Sequence, residues 1–274
     1  EGPSIFSSGG NPVSAGAAFP VVDTDHAVEI APEVFWTGYY MEDEALHCNP
    51  YLIRNGTESI LIDPGSVPDF PVVGRKLFSV IKPESVTTII LNHQDPDLCA
   101  SVPIFESLRE NFDYDVIAHR KTIYLLKHYG IKGKFHRLDD GETAYKTPGG
   151  RELKFITTPF AHFAGAVMTY DVKSKVLFTG DILGGVGTDW ELYHTDVALA
   201  NMKAFMRGFM PCNKAHRYAL LKIESSGAEL FAPQHGQIIH RDQFPAIKEA
   251  LWDLKCGLDL IEDDAMKQAM VHAV

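Results

Sequence analysis

The sequence predicts an α+β fold in which two sheets pack face to face with helices outside, an αββα sandwich. Three observations carry this. Strand-like runs come in two groups separated by helical stretches. The order is strands, strand–helix units, strands, then helices, not the strict alternation of a doubly wound sheet. No internal repeat of fixed period interrupts that order. At 274 residues the chain suits one large domain or two small ones. We expect residues 1–26, rich in Gly, Ser, Pro and Ala, to form an arm, and residues 27–274 a single domain.

The first strand group is read at Val28–Ile30, Val34–Trp36, Pro50–Ile53 and Ser59–Ile62. Asn55-Gly56 between the last two is a tight hairpin signal, so an antiparallel meander should open the fold. A helix follows around Phe70–Ile81 and closes at Pro83. After the strand Thr87–Leu91, one helix should carry Leu98, Val102, Phe105 and Leu108 on a shared face. Val116–Ala118 reads as a strand, and Lys121–Tyr129 as a helix that Gly130 ends. The second strand group comprises Thr143–Tyr145, Leu153–Thr157, Val167–Tyr170 and Val176–Thr179. Thr195–Phe209 and Cys212–Ile223 are helical, with Pro211 between them. Leu230–Ala232 is the last strand, and Asp242 is placed to cap a final helix running to about Leu260.

Composition narrows the function classes. Apolar residues make up 45 % and charged residues 22 %, an ordinary globular balance. Lys and Arg number 25 against 36 Asp and Glu, a formal charge of −11, so no electrostatic footprint for nucleic acid or an anionic membrane is evident. No stretch approaches the ~20 apolar residues of a membrane span, and the first residues do not read as a secretory signal. The four cysteines, Cys48, Cys99, Cys212 and Cys256, form no CxxC pair. Scattered thiols fit a reducing compartment, most simply the cytoplasm.

The chemistry lies where strands end. Ile89-Ile90-Leu91 runs into His93-x-Asp95-x-Asp97, and Phe155-Ile156 into Pro159-Phe160-Ala161-His162. Val176-Leu177-Phe178 runs to Gly180-Asp181, and Leu230-Phe231 to Pro233-Gln234-His235-Gly236. Singly, each is an ordinary loop residue. Their recurrence after four strands predicts that His93, Asp95, Asp97, His162, Asp181 and His235 converge on a metal site.

With these residues in place the sequence resembles the metallo-β-lactamase superfamily over roughly residues 28–260. That family's first motif is commonly His-x-His-x-Asp-His, followed by a single His, an Asp and a last His. Asp95, a carboxylate in the second slot, resembles the flavodiiron branch, which carries Glu there and binds two irons. Val34-Phe35-Trp36-Thr37-Gly38, Asn49-Pro50-Tyr51-Leu52-Ile53, Thr158-Pro159-Phe160-Ala161-His162 and Ala232-Pro233-Gln234-His235-Gly236 resemble further segments of that branch.

The resemblance implies that His93, Asp95 and His162 hold a first iron, Asp181 bridges, and Asp97 and His235 hold a second. Leu98 stands where a second-iron His is expected and cannot ligate, so the second site should be weak, and one ion or two stays open. Asp95 is a methylene shorter than Glu, which leaves two alternatives: it misses the metal, or it reaches it through water. His47 and Tyr193 are further pocket candidates, with His194 beside the latter; His47 could also occupy the ligand gap. Trp36 is expected in the core, and His128, His216, His240 and His272 at the surface.

Flavodiiron enzymes continue into a flavodoxin-like domain, and this chain ends at Val274. The resemblance is therefore to stand-alone oxygen-binding di-iron proteins, with no FMN in this chain. It implies O2 or NO as ligand, and either a sensor with a signalling partner or a reductase fed by an external redox carrier; a homodimer is implied by resemblance only. Two other classes stay open: a metal-dependent hydrolase of esters, thioesters, lactones or phosphodiesters, and a metal-poor binding module, which Leu98 favours.

Overall fold

The computed structural model describes residues 22–40, 45–196 and 198–261. The expected arm therefore lies outside the described residues up to residue 21, as does His272. Among the described residues the strands form two sheets. The seven-stranded sheet runs in chain order through β1 (Val28–Ala31), β2 (Val34–Trp36), β3 (Tyr51–Asn55), β4 (Glu58–Ile62), β5 (Val86–Leu91), β6 (Asp115–His119) and β7 (Lys134–Leu138). It begins as the expected antiparallel meander and turns parallel from β4 onward. The six-stranded sheet contains β8 (Glu142–Lys146), β9 (Glu152–Thr157), β10 (Val167–Asp171), β11 (Val176–Gly180), β12 (Leu230–Pro233) and β13 (Ile239–His240), ordered β13-β12-β11-β10-β9-β8.

Side-chain alternation builds the layers. Successive strand residues face opposite sides of a sheet. Tyr51, Ile53, Ile60, Ile62, Ile90 and Ile117 of the first sheet meet Leu153, Phe155, Val176, Phe178, Leu230 and Ala232 of the second in one core between the sheets. The intervening Leu52, Leu61, Ile89, Leu91, Val116 and Ala118 point outward. They pack against α1 (Phe70–Val80), α3 (Val102–Ser107) and α4 (Arg120–Leu126). Ile156, Met168, Leu177 and Phe231 do the same on the other side, under α5 (Ala198–Phe209), α6 (Asn213–Ser225) and α7 (Phe244–Trp252). The αββα sandwich is thus present, and each buried Leu, Ile or Phe contributes about 1.5–3 kcal/mol to it.

Several expected elements differ. The helix carrying Leu98 to Leu108 is two short pieces, α2 (Pro96–Cys99) and α3. Pro96 and Pro103 start each of them, and Leu108 lies past the second and is 47 % exposed. The final helix stops at Trp252, and a separate turn of 3-10 helix spans Gly257–Leu260. Asp242 does not cap it: the residue lies inside a 3-10 turn, Arg241–Gln243, that precedes α7. Strands β7 and β13 were not expected, since Lys134–Leu138 is polar and partly exposed and Ile239–His240 is only two residues. His216 is buried in α6, not at the surface; with no charged partner its pKa is pushed down by burial to about 4.

A buried ion pair locks the second sheet. Arg151 and Asp171 are 1 % and 0 % exposed and join through two bonds, Nε to Oδ1 at 2.8 Å and Nη2 to Oδ2 at 2.5 Å. Arg151 Nη1 also reaches Glu33 Oε2 at 2.8 Å, tying this sheet to the β1–β2 turn. Removing one partner strands a buried charge, so Asp171→Ala should cost about 3–5 kcal/mol. Urea unfolding reads this as a lowered midpoint; an unchanged midpoint contradicts it.

Candidate metal centre

The strand ends do meet. β9, β11 and β12 finish at one edge of the second sheet, because Thr157 is paired with Val167 and Gly180 with Pro233. Asn92, directly after β5, brings the first sheet to the same edge. Its backbone N–H and side-chain NH2 donate to the two oxygens of Asp63, at 2.8 and 2.6 Å. Its carbonyl accepts from Val167 N at 3.0 Å, and its side-chain oxygen from the Thr169 hydroxyl at 2.7 Å. With all its groups engaged across the two sheets, Asn92 fixes His93 against Asp181. Sequence reasoning did not single it out, since its partners lie 29 and 77 residues away.

Among the described residues two ligand groups result. His93, Asp95, His162 and Asp181 offer ligand atoms within 4.8 Å of one another, and so do Cys48, Asp97 and His235. Asp181 faces both. Its Oδ2 contacts His93 Nε2 and lies 2.6 Å from His162 Nε2. Its Oδ1 lies 3.4 Å from His235 Nε2, is buried, and makes no well-directed hydrogen bond. His235 Nε2 is also 3.2 Å from Asp97 Oδ2. Asp95, despite its shorter stem, comes within 3.4 Å of His162 Nε2 and 3.6 Å of His93 Nδ1. Its orientation is held by Gln94, whose side-chain NH2 donates to Oδ1 at 2.7 Å.

The loop carrying His235 is held from the opposite sheet. Asn49 donates from its side chain to the carbonyls of Pro233 and Gly236, both at 3.0 Å, and its N–H donates to Gln234 O at 2.7 Å. Trp36 Nε1–H donates to Asn49 Oδ1 at 2.8 Å, and Tyr51 OH to Pro233 O at 2.7 Å. Trp36 is in the core as expected, and this polar tip makes it part of the loop's anchor as well. Gly236 has φ +76°, and a Cβ there would sit 2.6 Å from the Gly185 backbone nitrogen, so the close approach of these loops requires glycine.

Of the other candidates, His47 is 2 % exposed, and burial pushes its pKa down to about 4. Its carbonyl accepts from His235 Nδ1 at 2.8 Å, which leaves Nε2 of His235 facing the cluster. The His47 ring packs instead against Trp190 and Tyr40, with centroids 4.8 and 5.6 Å away. The side chain that joins Asp97 and His235 is the neighbouring Cys48, which sequence reasoning passed over. Tyr193 pairs with Ile238, and its ring lies beside His240 and the inter-sheet core; neither ligand group contains it. His194 is buried, with a lowered pKa from burial.

The electrostatics couple the acids of the cluster to its imidazoles. Burial favours neutral imidazole at His93, yet the Asp181 and Asp95 carboxylates raise its pKa to about 10. His162 is raised to about 9 by Asp181 and Asp95, and His235 well above its ordinary value by Asp181 and Asp97. Burial would raise Asp181 and Asp95, but the imidazoles hold both well below the usual carboxylate range. Without a cation, protons on the imidazoles balance the acids. A divalent ion would do so with neutral imidazole ligands. His93, Asp181, His235 and Cys48 are buried, whereas Asp95 and Asp97 are about one-third exposed and His162 one-fifth, so solvent reaches the cluster from that side.

The packed sheets and the strand-end His and Asp groups are those of a metallo-β-lactamase-like fold. Within it, this chain belongs to the ODP family beta lactamases, whose profile matches residues 46–236. A type A flavoprotein of Rhodobacter capsulatus is 28 % identical over 231 residues, covering 77 % of this chain and 52 % of its own. An anaerobic nitric oxide reductase flavorubredoxin of an Enterobacter species is 27 % identical over 149 residues, covering 54 % and 30 %. The chain thus spans about half or less of these curated relatives. A structure titled as the peroxy diiron species of the chemotaxis sensor ODP has a similar fold. Its TM-score is 0.72 at 23 % identity, covering 86 % of this chain and 97 % of that one. Among the described residues no helix is long and apolar enough to cross a membrane.

Because folded His93 and His162 titrate near 10 and 9 and free imidazole near 6.5, their pairing stabilises the metal-free protein fully below about pH 6.5. That stability is lost as pH rises through 9–10. Melting of chelator-treated protein should fall in temperature between pH 7 and 10, and a flat profile over that range contradicts the pairing.

Proposed function

We propose that this chain is a non-haem di-iron protein whose site binds O2 or NO. The observation that carries the reading is the Asp181 carboxylate, which turns one oxygen to His93 and His162 and the other, buried and without a well-directed donor, to His235. A buried anion presented to two ligand groups is the disposition of a bridging ligand. His93, Asp95 and His162 would hold one iron and Asp97 and His235 the other, with Asp181 between them. The imidazole and carboxylate donors suit Fe(II), Mn(II) or Zn(II). Similarity to a peroxy diiron sensor and to a nitric oxide reductase supports iron among these metals and O2 or NO chemistry as the class.

When bound, iron supplies the open positions and redox electrons that a diatomic gas requires. The chain's own contribution is charge, orientation and access. Three carboxylates oppose three imidazoles, so the loaded site keeps anionic ligands that favour ferric iron. Asn92, Asn49 and the His47 carbonyl hold the ligands in place, and the one-third-exposed edge at Asp95 and Asp97 admits a small molecule. The same anionic set disfavours the hydrolase reading, because it weakens a metal as a Lewis acid.

Anaerobic loading with Fe(II), metal counting and spectra after exposure to O2 and separately to NO test this. The expected result is about two irons per chain and a charge-transfer band that appears with either gas. His162→Ala should lose the band and lower the count. Protein that retains zinc alone and turns over a chromogenic ester contradicts the proposal.

A further inference from the structure

The second ligand group has an unexpected member. Asp97 is followed by Leu98, which is fully buried and carries no donor atom, so that position adds nothing to Asp97, His235 and the shared Asp181. A fourth donor arrives from a segment about fifty residues earlier. Cys48 Sγ is 4.0 Å from Asp97 Oδ2, and its sulfur, the Asp97 oxygen and the His235 nitrogen all lie within 4.8 Å of one another. One ion with bonds of about 2.0–2.3 Å fits between ligand atoms at such separations.

The sulfur is placed by the backbone around it. His235 Nδ1 donates to the carbonyl of His47, the residue before Cys48. Asn49, the residue after it, makes three hydrogen bonds to the strand-end loop 233–236, to Pro233, Gln234 and Gly236. Residues 47–49 therefore run along the loop that carries His235, and Cys48 cannot drift from it. Its surroundings also differ from those of the other buried thiols. Cys99 donates to the backbone carbonyls of Gln94 and Asp95, and Cys256, in the apolar core under the helices, meets only the carboxylate of Asp259 in its own turn, 3.9 Å away, and belongs to neither ligand group. A cysteine that merely fills space behaves as a small hydrophobe. Cys48 instead sits beside a carboxylate and an imidazole, and Asp181 Oδ1, which makes no well-directed hydrogen bond, lies 3.4 Å from the same His235 Nε2 that Asp97 approaches.

We infer that Cys48 is a thiolate ligand of the second metal, supplying the donor that Leu98 lacks. The inference rests on the di-metal reading above and deepens it. Binding exchanges a proton for the ion: the S–H bond breaks, the sulfur–metal bond forms, and the proton leaves to solvent with no change in oxidation state. The second site then has Cys48, Asp97, His235 and Asp181, so it is held more firmly than the His and carboxylate count alone implies. It also becomes the softer of the two sites, since the first has only nitrogen and oxygen donors.

The full chain loaded anaerobically with Co(II), and separately with Fe(II), tests the assignment in the wild type, Cys48→Ser and Cys48→Ala. Loaded wild type should show a thiolate-to-metal charge-transfer band and, by X-ray absorption, a sulfur shell at about 2.3 Å. Both variants should lose the band and shell, retain the first ion, and release the second to a chelator more than about tenfold faster. The inference is overturned if wild type holds two ions with no sulfur shell, or if the band persists in Cys48→Ala; the di-metal reading survives either outcome. Wild type that binds no metal overturns the di-metal reading itself. Circular dichroism checks the variants' fold, and the wild-type absorption spectrum decides the question even if they fail to fold.

Discussion

The placement of one buried carboxylate governs this structure. Asp181 is 2 % exposed, and an isolated ionised carboxylate in such a position is very costly. Its stability as an anion depends on positive charge from three loops, each supplying an imidazole that would otherwise be driven neutral by burial. The loops cannot separate without leaving Asp181 uncompensated. The same mutual dependence makes the cluster a receptor for cations, since a metal ion satisfies the acids while freeing the imidazoles of their protons.

Sheet geometry delivers that convergence. Alternation along the strands sorts apolar residues into one core between the sheets and two beneath helices, which leaves the polar groups to the strand ends. Pairing within the second sheet aligns the ends of β9, β11 and β12, and Asn92 adds the end of β5 across the sandwich. The first sheet contributes once more through Asn49 and Trp36, which hold the His235 loop from below. A fold that is mostly hydrophobic packing thus relies on a few buried amide side chains to set its site. Asn92 and Asn49 are fully engaged, as buried polar groups must be if they are to stabilise rather than disrupt.

Much of this was legible in the sequence. Apolar strands that break into His or Asp gave the converging residues His93, Asp95, Asp97, His162, Asp181 and His235, because strand ends and loop chemistry leave local marks. The two-layer sandwich followed from the order of elements. What escaped depends on contacts between distant segments. Cys48 reads only as one of four scattered thiols until the 233–236 loop is laid beside it, and Asn92 as a polar residue at a strand end until its partners in both sheets are known. His216 was misplaced because a histidine's burial depends on the helix face it occupies, which its neighbours in sequence did not reveal. Polar β7 escaped because an edge strand has no need of an apolar pattern.

The decisive question is whether a cation pair flanks Asp181. Anomalous diffraction at the iron edge from crystals grown anaerobically with Fe(II) measures this directly. One peak is expected beside Asp181 Oδ2 among His93, Asp95 and His162, and another beside Oδ1 near Asp97 and His235. Peaks confined to the molecular surface, or a cluster whose imidazoles still contact Asp181 with no ion between them, would contradict it.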